Sequence, residues 1–450
     1  MATHPILLTN ALIVNEGKTF KGHLLLSDGK IEHIFEATRQ LPALQNTRRI
    51  DLEGMMLLPG VIDDHVHFRE PGLTHKGDLL SESRAAVAGG VTSFMEMPNT
   101  VPQTTTQQAL EDKFLLAGQK SLANYSFYIG ATNDNHDELQ ATDARHVCGI
   151  KLFMGSSTGN MLVDSNEALS RLFRTARLPV AVHTEDEDTI RRNLQQAIDR
   201  YGDDIPFEEH ARIRSHEACF LSTSRAIALA RKYDARLHIL HLSTAQETSL
   251  LESNVALGQK QITAEACVHH LWFTDEDYRT KGSLVKWNPA IKTGADRQAL
   301  RQGLIDGSID VVGTDHAPHT LAEKQNNYLK APSGGPSIQH SLVTMLELVH
   351  QGVYTLEQVV MFMCHHPAGL FGVTNRGYIR KGYAADLVAV SLNKPFTVEK
   401  EQLHYKCGWS PMEGATLNSQ VEYTIVNGHV VYEKGTFHPE IKGMALEFSR

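Results

Sequence analysis

The sequence predicts an α/β fold, a (β/α)8 barrel of the TIM type carrying a small β-sandwich domain formed by both termini, and three observations predict it. Short apolar runs alternate with amphipathic, helix-length segments between residues 59 and 369. Residues able to bind metal recur at the C-terminal ends of those runs. Strand-rich stretches without intervening helices stand at either end of the chain.

The first 58 residues read as strands and turns: "PILLTNALIV", then "GHLLLSDGKIEHIF" around a polar SDGK turn, then "RRIDLEGMMLLPG". After Pro59 the rhythm changes. "GVIDDHVHF" precedes the helical "DLLSESRAAVAGG", whose paired glycines suit a helix C-terminus. "VTSFMEMPN" precedes "TTQQALEDKFLLAGQKS", and "YSFYIGATN", "VCGIKLFMG", "LPVAVHTED", "RLHILHLS", "QITAEACVHHL" and "IDVVGTDHAPH" complete eight strand candidates. From about residue 370 strands return in "GYIRKGYAADLVAVSL" and in "VEYTIVNGHVVYEKGTF", with an Asn-Gly hairpin turn at Asn427 and Gly428. The expected division is residues 1–58 with 370–450 as the β domain and 59–369 as the barrel.

An open doubly wound sheet would give a similar alternation. The two differ in where polar chemistry falls: an open sheet gathers ligands at one crevice, whereas a barrel converges them from many strand ends. Five of the eight candidates carry a metal-competent residue at or near their ends, namely His65 with His67, Lys151, His183, His241 and Asp315. The barrel accounts for that distribution.

Bulk properties narrow the partners. The chain has 450 residues, 41% hydrophobic and 21% charged, which suits a globular protein with a large core. A net charge of -9 argues against a nucleic-acid face but leaves room for a small anionic ligand held by a few arginines. Five scattered cysteines without a CxxC pair, and no apolar run long enough to span a bilayer, lead us to expect a cytoplasmic protein with no membrane partner.

His65 and His67 are two apart, so on a strand both imidazoles face one side and can reach one cation. Such a pair alone is as compatible with a hydrogen-bonded strand exit as with a metal. His183 and His241 each close an apolar run, and single strand-end histidines are commonly structural; recurrence at matching ends is what points to a shared centre. Asp315 could bind metal and also move a proton, the dual role that metal-assisted hydrolysis needs, or simply begin a loop. Lys151 is the odd member, because an ammonium is repelled by cations. A lysine carbamate, formed with CO2, would instead offer two oxygens able to bridge two ions. Arg69, Asn99, Asn288 and His319 surround these positions with donors suited to a small anionic, amide-bearing ligand; each has a plain reading as a loop residue.

Two motifs carry a resemblance that covers nearly the whole chain. "DDHVHFREP" is similar to the first signature of the dihydroorotases, and "GTDHAPHTLAEK", Gly313 to Lys324, is similar to the second. The sequence thus resembles the cyclic amidohydrolases of the amidohydrolase superfamily, and within them the dihydroorotases. The resemblance implies two zinc ions, bridged by carbamylated Lys151 and a hydroxide: His65, His67 and Asp315 on one, His183 and His241 on the other. It implies that Arg69, Asn99 and His319 hold a substrate carboxylate, while Asn288 and the "APSGGPS" loop line the substrate ring. The implied reaction is reversible hydrolysis of (S)-dihydroorotate to N-carbamoyl-L-aspartate, a step of pyrimidine synthesis, by a homodimer with Asp315 as the catalytic acid and base. Dihydropyrimidinases, hydantoinases and allantoinases share the metal ligands and are the nearest alternatives; a non-catalytic scaffold relative would be expected to have lost some.

Overall fold

The computed structural model describes residues 5–39, 41, 46–155 and 161–450; residues 1–4, 40 and 42–45 of the expected N-terminal β segment lie outside them. All eight strand candidates form strands: β1 (Val61–Val66), β2 (Val91–Glu96), β3 (Asn124–Gly130), β4 (Gly149–Phe153), β5 (Val180–His183), β6 (Leu237–Ile239), β7 (Ile262–Cys267) and β8 (Val311–Gly313). They pair in parallel and in chain order. The ring closes just past β8, where Val66 bridges His316 and the His67 amide donates to the His316 carbonyl at 2.7 Å. Closure is tightened by Asp63, whose carboxylate accepts from the Thr314 amide and hydroxyl at 3.2 and 2.7 Å. The (β/α)8 barrel is thus the observed architecture.

The helices around it begin where the sequence supplies a cap. Asp78, Thr106, Ser165, Asp186, Ser215 and Thr293 each accept from an amide of the following first turn, which satisfies donors the helix itself leaves open. After the first helix, Leu79–Ala88, the chain turns at Gly89 and Gly90. Gly90 has φ +83°, and a Cβ there would meet the Val388 side chain at 2.8 Å, so this glycine serves both the helix stop and the approach of barrel to terminal sheet.

Strands from both ends of the chain form one nine-stranded sheet. Met56–Pro59 joins the halves, pairing in parallel with Leu12 and Ile13 and antiparallel with Leu387–Val390. The turns at Gly29 and at Asn427–Gly428 lie far apart in the strand order yet touch: a Cβ on Gly428 would fall 2.8 Å from the Gly29 Cα. The sheet therefore curls over an interior of its own, containing Ile6, Leu8, Leu24, Ile50, Leu387 and Ile425. Val388, Val421 and Val431 from the same sheet join the barrel's core instead.

The chain after residue 370 does not stay in that sheet. Tyr405 and Trp409 return to the barrel: the Tyr405 hydroxyl accepts from the Gln339 amide at 2.8 Å, and Trp409 Nε1 donates to the His319 carbonyl at 2.7 Å. At the far end of the barrel, Arg450 donates to the carbonyls of Phe371, Val147 and Cys148. No helix among the described residues is long and apolar enough to cross a membrane.

Candidate active site

One cleft of about 360 Å³ opens at the C-terminal ends of the strands, and all ten residues singled out from the sequence line it. They arrive differently. His65 is within β1, Lys151 within β4 and His183 at the end of β5. His241 and Asp315 were expected to close strands, but β6 stops at Ile239 and β8 at Gly313. Both residues, like Arg69, take left-handed backbone, with φ of 39°, 44° and 71°. Such backbone is costly for residues with a Cβ and is held here by the surrounding packing; it turns each side chain out of the strand direction and into the cleft.

Two groups of donors result. Asp315 Oδ1 lies 3.2 Å from His65 Nε2 and 3.1 Å from His67 Nε2. On the other side His183 Nδ1 and His241 Nε2 are 2.9 Å apart. Lys151, 1% exposed, lines the same cleft, its ammonium 4.5 Å from the centre of the Phe153 ring.

The histidines are oriented from behind. His65 Nδ1 faces Glu265 at 3.0 Å, His67 Nδ1 faces the Asn99 side-chain oxygen at 2.6 Å, and His183 Nε2 faces Glu185 at 2.9 Å. Each acceptor takes the proton of one ring nitrogen and leaves the lone pair of the other aimed inward, an arrangement typical of metal-binding histidines. With the Nε2 of His183 committed to Glu185, its Nδ1 and the His241 Nε2 present lone pairs to each other unless a proton or a cation lies between them. The donor set thus fits metal on observed geometry, with His65, His67 and Asp315 forming a cluster compact enough for one ion.

Electrostatics agree with this chemistry. Burial holds His67 down to about 4, and it lowers His183 and, more strongly, His241. His65 is the exception: Glu265 and Asp315 outweigh its burial and raise it. Burial would raise the Asp315 carboxyl, but the charge of His65 and the neighbouring His67 hold it below the usual carboxylate range. Burial pushes the Lys151 amine down to about 7, so a substantial neutral fraction exists near neutral pH, the form that can react with CO2.

A second group of side chains in the same cleft forms the anion wall. Arg69 is 7% exposed; its Nε donates to the Pro318 carbonyl at 3.0 Å and its Nη2 lies 3.1 Å from His319 Nε2. Asn288 Oδ1 has no hydrogen-bond partner among the described residues. Ser333 and Gly334 of the "APSGGPS" segment line the cleft beside them, and Lys324 holds that segment by donating to the carbonyls of Pro332 and Gly334 at 2.9 and 2.8 Å. Asn99 joins the two walls, since its oxygen is taken by His67 and only its amide hydrogens remain for a ligand.

The profile of the amidohydrolase family matches residues 56–431. The chain belongs to that family. This amidohydrolase is 31% identical over 436 residues to the dihydroorotase of Methanosarcina acetivorans, covering 94% of this chain and 91% of the relative. It is also 31% identical over 448 residues to the allantoinase of Streptomyces avermitilis, covering 98% of each. Among solved structures, L-hydantoinase (dihydropyrimidinase) from Arthrobacter aurescens superimposes with a TM-score of 0.90 at 28% identity, over 97% of this chain and 98% of that one. The chain is accordingly a cyclic amide hydrolase on an amidohydrolase barrel.

Sequence reasoning missed Glu265, Glu185, Lys76 and Trp287. Two had a local signal: Glu265 is an acid inside the apolar strand β7, and Glu185 follows His183 by two. Lys76 and Trp287 had none, because their contacts in the cleft come from distant segments.

Proposed function

We propose that this amidohydrolase is a dihydroorotase, interconverting (S)-dihydroorotate and N-carbamoyl-L-aspartate in pyrimidine synthesis. The observation that carries the reading is the buried Arg69 beside His319, in the same cleft as Asn99 and the His65, His67 and Asp315 cluster. A guanidinium withdrawn from water needs an anionic partner, and a ring carboxylate distinguishes dihydroorotate from dihydrouracil and hydantoin.

In this reading His65, His67 and Asp315 would hold one zinc ion and His183 and His241 a second, with Lys151, as its carbamate, adding oxygen ligands. Bound there, the metals supply Lewis acidity and water acidified to the neutral range. Asp315 takes the proton of the attacking water and delivers it to the departing ring nitrogen. Arg69, Asn99 and His319 fix the carboxylate, which sets the distance and angle of attack and makes no bond. Asn288 and the 332–334 segment line the cleft around the ring and limit entry of water.

Arg69→Ala tests this directly. Turnover of dihydroorotate should fall by about a hundredfold or more, the loss of two charge-assisted hydrogen bonds, with bound zinc unchanged. The hydantoinase or allantoinase reading, favoured by the structural and sequence relatives of those names, predicts instead that hydantoin, dihydrouracil or allantoin is the better substrate of the native protein.

A further inference from the structure

Lys76 stands behind the carboxylate wall and was not expected from the sequence. It lies in the loop between β1 and the helix Leu79–Ala88, with 14% of its side chain exposed, and lines the cleft. Its ammonium is 3.1 Å from His319 Nδ1 and 2.9 Å from Glu323 Oε1. The other oxygen of Glu323 is occupied by the Thr320 amide and hydroxyl at 2.9 and 3.0 Å, so this carboxylate is fixed at the start of the 321–324 turn.

An ammonium can only donate. His319 Nδ1 must therefore accept, and in the neutral ring the proton resides on Nε2. That nitrogen is 3.0 Å from the Ser333 carbonyl, an acceptor only, which is satisfied by the same tautomer. Arg69 Nη2, 3.1 Å from that protonated Nε2, then faces a donor and not an acceptor. Its N–H is left for an incoming oxygen, while Nε, bonded to the Pro318 carbonyl, fixes the plane of the fork. Burial and the neighbouring cations Arg69, Lys76 and Lys324 favour the neutral form of His319.

We propose that Lys76 is a specificity-determining residue: it sets the His319 tautomer that frees Arg69 for a ligand, favouring cyclic amides that bear a carboxylate over uncharged ones. The inference rests on the reading of Arg69, Asn99 and His319 as a carboxylate subsite.

The test uses the zinc-loaded full chain with Lys76→Met and Lys76→Arg. For Lys76→Met the KM for dihydroorotate should rise about 10- to 100-fold, the worth of one hydrogen bond to a charged group, with kcat changing much less. The ratio of kcat/KM for dihydroorotate to that for dihydrouracil should fall at least about tenfold, and Lys76→Arg should recover most of it. Nitrogen NMR of His319 should find the proton on Nε2 in the native protein and a mixture of tautomers in Lys76→Met, a readout independent of turnover. Equal losses on both substrates, or an unchanged tautomer, would overturn the proposal. A native protein that opens dihydrouracil but not dihydroorotate would instead overturn the carboxylate reading beneath it.

Discussion

The two walls of the cleft are built in different ways. The metal-type wall is anchored in the barrel: His65, Lys151 and His183 sit on strands, and Glu265 on β7 braces both His65 and the backbone amide of His241, at 3.0 and 2.9 Å. The anion wall is carried by loops, where Arg69, Lys76, His319 and Ser333 come together from three segments. The difference teaches a division of labour. Three of the six metal-type residues, His65, Lys151 and His183, stand on rigid strands and the other three lie just past strand ends, while the groups proposed to select a substrate stand where sequence can change without disturbing the barrel.

Substitutions on either side should separate the walls. The largest effect is expected for Asp315→Asn, which keeps the shape but removes the proton acceptor. Turnover should fall about 10²- to 10⁴-fold, whereas binding of N-carbamoyl-L-aspartate, measured calorimetrically, should weaken far less. Comparable losses in both would mean that the walls are not separable.

Next is Glu265→Gln. The amide can still accept from one donor but no longer offers a charge to His65. Zinc affinity in competition with a chelator should drop about 10- to 100-fold, and the preference for dihydroorotate over dihydrouracil among loaded molecules should hold. A shift in that preference would tie Glu265 to the anion wall.

The smallest effect concerns the frame both walls share. Asp296 completes the capping box of the helix Gly294–Asp306, whose N-cap is Thr293, and accepts from Thr293, His216 and the Ala245 amide. Burial works against its ionisation, but the hydrogen bonds from His216 and Thr293 prevail and hold its carboxyl below the ordinary range. A depressed folded value means the stabilisation is present above the unfolded value near pH ~4 and is lost as pH falls below it. Asp296→Asn should cost about 1 kcal/mol at neutral pH, and the difference from the native protein in denaturant melts should shrink steadily below pH ~4. A gap that persisted at low pH would assign the effect to packing.

Much of the metal-type wall was legible because its signal is local. A two-residue spacing puts His65 and His67 on one face, and an imidazole at the end of an apolar run needs no knowledge of the fold to be noticed. The same locality misled about backbone: "RLHILHLS" reads as a strand through His241, yet the chain leaves β6 at Ile239 so that the ring can turn toward His183. Lys76 shows the limit from the other side, being 243 positions from the His319 it orients; nothing near it in the chain hints at that partner.

By itself the sequence determined the alternation of strands and helices, the caps, the curled terminal sheet's strands and the residue types that could take part in hydrolysis, because periodicity, capping and chemical identity act over a few residues. Only the tertiary structure decided which nitrogen of each histidine faces inward, which carboxylate braces it and which way the Arg69 fork points. Those choices depend on acceptors and donors brought together by barrel closure, and hydrogen bonding is satisfied in space, without regard to distance along the chain.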